Sequence, residues 1–424
     1  MTGNSMDAID VVMSEFSGDE IHDICALSVP YSLPQKKAID GLRARVVKNQ
    51  LTAAELLNDN DFADIHRQYV SGVAAAINKL CADNSVSRSS IDAIGFHGKT
   101  LDHNPPSRAA KQGTQPFTTQ MGSAQMLADM TDIPVINDFR SPLLLAGFEG
   151  APLAAPHNAH IAAIEGDGCY FNAGNTSNLA WVIDGKAVIS WDAGPFNEYT
   201  DNFVLRHKNE NMDFDASYGK QGKLQIDLLS YLFAAGKEYY EMLPPKSGDP
   251  AYYKTAEIFA RIEAEYGDCK DNIRTFCDIM HTLEYFSAYC AAFALTQTPR
   301  NFAITPHFVL FGGGWKNPLA FGAFKDILTG NAYVLPEHKA RFDDLRRRLG
   351  NDLNMHYSRF GTYMEARLFA DLAYYYLQGK TWPLPELEGG KLLLGTMRRP
   401  HAAPVDDFLS KAARGWQNDL EESL

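Results

Sequence analysis

At 424 residues the chain is too long for one ordinary core, and a prior of roughly 100–200 residues per domain suggests two or three domains. Its 45% hydrophobic and 21% charged residues are those of an ordinary globular protein. A net charge of −13 argues against nucleic acid as a main partner, because phosphate backbones are held by Lys and Arg. Nucleotide binding stays open, since loop N–H groups and helix N-termini supply a local positive field.

In chain order, Met1-Thr-Gly-Asn-Ser-Met-Asp7 is a small-residue turn ahead of a short strand, Ile9–Met13. Such a turn can bring bare backbone against phosphate: Gly3, Asn4 and Ser5 give space and polar groups, and Asp7 can hold Mg²⁺ through water. Taken alone, such a turn is more often a plain hairpin turn. No strand precedes it, so the true start is expected to lie upstream. Residues 36–82 read as helices from their apolar spacing, and Ile91–His97 as a strand running into the loop Gly98-Lys-Thr100. Helix 125–130 and strand 133–136 follow, ending at Asn137-Asp-Phe-Arg140. This alternation predicts a mixed or parallel sheet covered by helices.

A second alternation starts at Cys169–Asn172, turns through Asn172-Ala-Gly-Asn-Thr-Ser-Asn178 and returns at Leu179–Ile183. Here a hairpin turn and a phosphate cradle are equally good readings. Asp192-Ala-Gly-Pro195 follows the apolar Val188–Trp191. A carboxylate at a strand end can take a proton from a bound hydroxyl or water, or simply form an Asx-turn. Lys246 lies in Pro244-Pro-Lys-Ser-Gly248, a ligand-facing loop or a plain one. A helical tract spans about 252–295. Strand His307–Phe311 leads into Gly312-Gly-Gly314, whose entropy cost marks close approach of a ligand or of other backbone. Glu365 opens an apolar helix over 363–377, where it could serve a ligand or the helix dipole. Thr381–Glu386 reads as a proline-punctuated loop, and the last ~20 residues as a polar terminal helix. The six cysteines show no metal spacing and read as reduced thiols. There is neither an N-terminal leader nor an apolar run near the ~20 residues of a membrane span, so a cytoplasmic protein without membrane or nucleic-acid partners is expected.

Taken in order, these motifs resemble the anhydro-N-acetylmuramic acid kinase family of the actin-like sugar kinase superfamily. The family's Met-Ser-Gly-Thr-Ser-Met-Asp-Gly-Ile-Asp is matched by Met1–Asp10, Gly-Ser-His-Gly-Gln-Thr by Gly95–Thr100, and Gln-Ile-Gly by Gln120–Gly122. Asp-Phe-Arg and Gly-Ala-Pro-Leu recur at Asp138–Arg140 and Gly150–Leu153. Asn-Ile-Gly-Gly-Ile-Ala-Asn becomes Asn172–Asn178, and Asp-Thr-Gly-Pro-Gly-Asn becomes Asp192–Asn197, with Asp201 beyond. Pro-Lys-Ser-Thr-Gly is close to Pro245–Gly248, Gly-Gly-Gly-Ala-x-Asn aligns with Gly312–Asn317, and Met-Glu-Ala with Met364–Ala366.

The resemblance implies an α/β, two-domain actin-like (ribonuclease H-like) sugar kinase fold with ATP and Mg²⁺ in an interdomain cleft. Residues 1–140 would form the N-terminal domain, completed by part of the C-terminal helical region, 141–400 the C-terminal domain and 401–424 a tail or helix. It implies an ATP-dependent kinase that opens the 1,6-anhydro bond of 1,6-anhydro-N-acetylmuramic acid and phosphorylates O6, in cell-wall peptidoglycan recycling. Asp192 would be the general base and Glu365 would orient water or sugar. Gly3, Asn4, Ser5, Asp7, Gly174, Asn175, Gly312, Gly313, Gly314 and Asn317 would hold the nucleotide, with Asp7 on the metal. His97, Gln120, Arg140, Pro152 and Asn197 would hold the sugar. A homodimer is left open. The chain departs from the pattern at Asn4, Ala8, Asn175 and Phe196, and Arg140-Ser-Pro-Leu143 replaces Arg-Arg-Arg-Asp. Those departures keep two alternatives in play: a kinase for a different anhydrosugar, and a non-catalytic sugar- or nucleotide-binding relative. An activator-type ATPase of the same superfamily would require Fe–S ligation, against which the scattered cysteines speak.

Overall fold

The computed structural model describes residues 1–401 except 4, 5, 7, 50, 52–54, 57, 249, 268–271 and 384–390. They form two compact units, one from Met1–His157 with the described residues from Tyr363 onward, the other from Asn158–Thr362.

In the first unit, β1 (Ala8–Ser17) and β2 (Glu20–Pro30) make an antiparallel hairpin pairing Ala8 with Pro30 and Ser17 with Glu20. The sequence predicts only a short strand at 9–13, so β2 is an addition. Its more protected face carries Ile21, Asp23, Cys25, Leu27 and Val29, while Ile24 and Ala26 stand exposed on the other. Apolar groups on both faces blur the alternation that marks a half-buried strand. The inward Asp23 is stabilised by Arg367, a buried guanidinium that donates to both carboxylate oxygens, Nε at 2.8 and 3.0 Å.

Helices Leu33–Asn49 and Asn60–Asp83 supply the apolar cover, the latter burying Phe62, Tyr69, Val70, Val73, Ile77 and Leu80 at helical spacing. Asp59 caps this helix by accepting from Phe62 N at 2.9 Å. The strand expected at 91–97 is confined to β3 (Ile94–Gly95). The segment after Gly98, expected as a loop, is instead β4 (Lys99–Asn104), antiparallel to β5 (Phe117–Met121) with Thr100 facing Gln120. Gly98, at φ +73°, makes the turn that lets the chain re-enter a strand. Helix Ala124–Thr131 leads to β6 (Val135–Asn137).

The second unit is built on one five-stranded sheet. β7 (Gly168–Ala173), β8 (Thr176–Ile183) and β9 (Lys186–Pro195) form an antiparallel meander. β10 (His307–Phe311) runs parallel to β7, and β11 (Asn354–Tyr357) parallel to β10, giving the order β11–β10–β7–β8–β9. This mixed order is the ribonuclease H-like arrangement that the resemblance implies. Helix Ile273–Leu295 lies in the core, buried without a break from Thr282 to Leu295. Around it pack Trp181, Trp191, Trp315, Phe171 and Phe324. Two of the indoles are satisfied, Trp315 Nε1 donating to Phe171 O and Trp181 Nε1 to Thr298 Oγ1, both at 2.9 Å.

The chain then completes the first unit. Helix Met364–Leu377 packs on β3, and after β12 (Trp382–Pro383) and β13 (Lys391–Leu392), β14 (Thr396–Arg398) pairs antiparallel with β6. No helix among the described residues is long and apolar enough to cross a membrane. The terminal helix expected over the last residues lies outside the described residues.

Candidate active site

The candidate residues divide between the two units. In the second, Asp192 stands near the end of β9, 9% exposed. Its Oδ2 accepts the Gly248 N–H at 2.6 Å, with the Ser247 hydroxyl at 3.5 Å. Its backbone is pinned too: Asp192 N donates to Lys246 O at 3.2 Å, and the Tyr239 hydroxyl donates to Asp192 O at 2.7 Å. Gly248 is required here, because a Cβ would lie 2.6 Å from the Tyr253 hydroxyl and 3.3 Å from Asp192 Cβ. The carboxylate is thus oriented by a loop whose motif the sequence displays, although the residue that does it is the glycine rather than the lysine.

Lys246 does not reach toward a ligand. Its buried ammonium donates to Tyr239 O, Tyr240 O and the Gln297 Oε1 at 3.1, 3.1 and 2.9 Å, which uses all three donors. Burial lowers its pKa to about 7, against the opposing pull of Cys290 and Asp192. This lysine ties down the loop that holds Asp192.

Gly174 and Asn175 form the tight connection of the β7–β8 hairpin. Their carbonyls accept from the first N–H groups of helix Asn197–Lys208: Asn197 N to Gly174 O at 3.0 Å, Phe196 N to Asn175 O at 2.7 Å and Glu198 N to Asn175 O at 3.3 Å. The hairpin reading of this turn therefore holds, and Asn197 sits against it. The three glycines after β10 separate by what surrounds them. A Cβ on Gly312, at φ +84°, would lie 2.3 Å from Ala173 O, and one on Gly314 would meet the Phe196 ring at 2.6 Å. A Cβ on Gly313 meets nothing within 4 Å. Two of the glycines are explained by the protein's own backbone and ring, and one leaves open space of the kind a ligand could enter.

Asn317 is committed on both sides. Its Oδ1 accepts from Leu319 N and Ala320 N at 3.0 Å, capping helix Pro318–Thr329, and its Nδ2 donates to Glu284 Oε1 at 2.7 Å. The sequence does not single out Glu284, which stands inside a continuous apolar helix.

In the first unit, Gly3 is tied to Lys99, whose buried Nζ donates to Gly3 O at 3.0 Å. Burial lowers the Lys99 pKa to about 8. Lys99 was legible only as part of the Gly-Lys-Thr run. Asn4, Ser5 and Asp7 lie outside the described residues. His97 is buried and stacked on Phe369, with centroids 4.6 Å apart. Arg140 Nε donates to His97 Nε2 at 2.9 Å, so the ring is the neutral tautomer whose Nδ1–H donates to Gly98 O at 3.0 Å. Burial, then Arg140, holds its pKa well below the ordinary value. Arg140 also donates to Gly150 O at 2.7 Å, beside the cis Ala151–Pro152 bond that sets Pro152. Gln120 accepts from the Thr100 hydroxyl at 2.8 Å and donates to Thr118 Oγ1 at 2.7 Å. Glu365 opens helix Met364–Leu377 with an exposed side chain. Desolvation by surrounding protein, then Asp10, raises its pKa, while the Met1 amino group, Lys99 and Arg140 pull it down. Gly3, Lys99, His97, Arg140 and Glu365 therefore form one electrostatic neighbourhood.

The mixed sheet order and helical cover define a ribonuclease H-like α/β fold, and the family that the chain matches makes it a phosphotransferase acting on an alcohol group. The family model described as anhydro-N-acetylmuramic acid kinase matches residues 1–393, and the chain belongs to that family. Among similar proteins, the anhydro-N-acetylmuramic acid kinase of Xanthomonas axonopodis pv. citri is 30% identical over 401 residues, covering 94% of this chain and 96% of the relative. That of Paramagnetospirillum magneticum is 29% identical over 393 residues, covering 92% and 95%. A solved ROK hexokinase from Thermus thermophilus is 14% identical, with TM-score 0.35, covering 87% of this chain and 100% of the other.

Proposed function

We propose that the chain is an ATP-dependent kinase of 1,6-anhydro-N-acetylmuramic acid acting in peptidoglycan recycling in the cytoplasm. The observation that carries this reading is the Asp192 carboxylate, held by the Gly248 N–H at a strand end with 9% exposure. A carboxylate oriented in this way near a strand end is suited to take a proton from water. That water bonds to the anomeric carbon as the C1–O6 bond breaks, and O6 then bonds to the γ-phosphorus as ADP leaves. The net reaction consumes one water and one ATP per sugar and releases one proton. Positioning does most of the work in such a transfer. Glu365 orients water or sugar, and the neutral His97 holds Arg140 where an anionic sugar substituent can meet it. Gly313 is the glycine whose open face suits the nucleotide. Mg²⁺ would neutralise phosphate charge and takes most of its oxygens from phosphates and water. Among the described residues no group of three His, Cys, Asp or Glu could hold a metal ion, and Asp7 lies outside them.

The deciding assay incubates the protein with Mg-ATP and a panel of anhydrosugars. ADP forming with 1,6-anhydro-N-acetylmuramic acid is the expected result. ADP with a different anhydrosugar alone would move the specificity, and no ADP with any sugar would end the catalytic reading. Two glycine variants test the nucleotide turn. Gly312→Ala should destabilise by about 2 kcal/mol or more, because its positive φ and a backbone carbonyl both oppose a Cβ. Gly313→Ala should keep its Tm within about 1 °C yet raise KM for ATP about tenfold, since the methyl enters only open space. An unchanged KM would remove Gly313 from the site.

A further inference from the structure

We infer that Glu284 is a positioning residue: acting through Asn317, it fixes the glycine turn Gly312–Gly314 for nucleotide. The inference rests on the nucleotide reading of that turn. Glu284 is 1% exposed at the middle of helix Ile273–Leu295, and its Oε1 accepts from Asn317 Nδ2 at 2.7 Å. Asn317 lies three residues past Gly314, donates its N–H to Gly314 O at 3.0 Å and caps the next helix, so a shift of this residue displaces both.

The other oxygen explains why this carboxyl is an acid and not a carboxylate. Glu284 Oε2 is buried without a donor, and its hydrogen-bonding neighbour is the carboxyl of Asp213. The Asp213 carboxyl accepts from Ser217 Oγ at 2.7 Å, Tyr218 N at 3.0 Å and Gly219 N at 2.9 Å. Two carboxylates side by side in the core repel, so one proton is kept, and it belongs on Glu284 facing Asp213. Gly219 leaves the room for this pair, because a Cβ there would fall 1.9 Å from Glu284 Oε2. Desolvation first, then Asp213, raises the Glu284 pKa to about 9, with the Asn317 bond opposing and Asp201 adding to the rise. Other titratable groups against this loop are His281, one turn back on the same helix, whose Nδ1 contacts Gly219 O at 2.9 Å, Asp278, which accepts from Lys223 N at 2.8 Å, and Cys277 and Tyr218, which both feel the Asp213 charge.

Because the folded pKa is raised, the stability that Glu284 contributes is full below its unfolded value of about 4.5 and is lost as pH rises through about 9. Glu284→Gln copies the protonated acid: its carbonyl accepts from Asn317 and its amide donates to Asp213. The experiment compares wild type, E284Q and E284A by kinetics and thermal unfolding between about pH 6 and 9. In E284A, KM for ATP should rise about tenfold at pH 7 while KM for the sugar stays within about twofold. Because Lys246 and Lys99 also titrate in this range, the readout is the difference between wild type and E284Q: relative to E284Q, wild-type KM for ATP should rise and Tm fall by several degrees from about pH 6 to 9. An E284A enzyme with wild-type KM for ATP overturns the inference. Should E284A not fold, an E284Q pH profile identical to wild type overturns it alone. If wild type forms no ADP with any sugar, the kinase reading fails separately, and the Tm profiles of wild type and E284Q still decide whether Glu284 holds its proton.

Discussion

Asp192→Asn should lower kcat for the anhydrosugar about a thousandfold, within the range that general bases contribute, while leaving the fold intact. The substitution keeps an oxygen where Oδ2 accepts the Gly248 N–H, and the backbone bonds to Lys246 O and from Tyr239 involve no side-chain atom of Asp192. A Tm within about 2 °C of wild type is therefore expected, since the side-chain shape is kept and the Gly248 N–H retains its acceptor. What disappears is the ability to accept a proton from water, so sugar opening and sugar-dependent ADP release should fall together. Turnover at the wild-type rate would remove Asp192 as the base. A loss of activity accompanied by a large drop in Tm would show a structural residue instead.

Gly95→Ala should be among the most damaging small substitutions in the chain. Its Cβ would lie 1.9 Å from the Phe369 carbonyl oxygen and 2.3 Å from the carbonyl carbon, both backbone atoms of helix Met364–Leu377. A flexible side chain could rotate away, but a helix carbonyl cannot, so β3 and the helix must separate. Overpacking of this kind costs about 3 kcal/mol, at the upper end of the usual range, or on the order of 6–10 °C in Tm for a unit of this size. The same helix carries Glu365 in its first turn and Phe369 against His97, so activity should fall further than the melting shift alone explains. Thermal unfolding of the purified variant beside its kinetics tests both parts. A Tm within about 1 °C of wild type would show that the packing is looser than these distances require.

The alternation of apolar runs was sufficient to read an α/β architecture, because β7, β8, β10 and the long core helix keep a consistent period along their length. β2 escaped because its partner for Asp23 is Arg367, supplied from the far end of the sequence. An inward acid looks like a surface residue until that guanidinium is in place. β4 escaped because glycine punctuates local sequence, and Gly98 serves a turn between two strands and not the start of a loop. Asp192 stood out in the sequence as an acid ahead of a Gly-Pro turn, a place that an Asx-turn fills as readily as a base. Only the match of Asp192–Asn197 to the family's Asp-Thr-Gly-Pro-Gly-Asn singled it out as a base. The roles of Lys246 and Glu284 were not legible, since both depend on acceptors and carboxyls brought together only by tertiary packing. The triple glycine was legible as close approach, but only the folded chain separates Gly312 and Gly314, pressed on Ala173 and Phe196, from the open Gly313.

The pairing of β14 with β6 and the seating of helix Met364–Leu377 on β3 have a consequence for synthesis on the ribosome. Strands β3 and β6 emerge early, yet the segments that cover and extend them are made only after the whole of Asn158–Thr362. The later unit has all of its sheet in one continuous stretch and can close while still tethered. The earlier one must wait with part of its apolar surface uncovered. The first-made half of this enzyme is thus the last to finish folding, and it is the half a nascent-chain chaperone would be expected to shield.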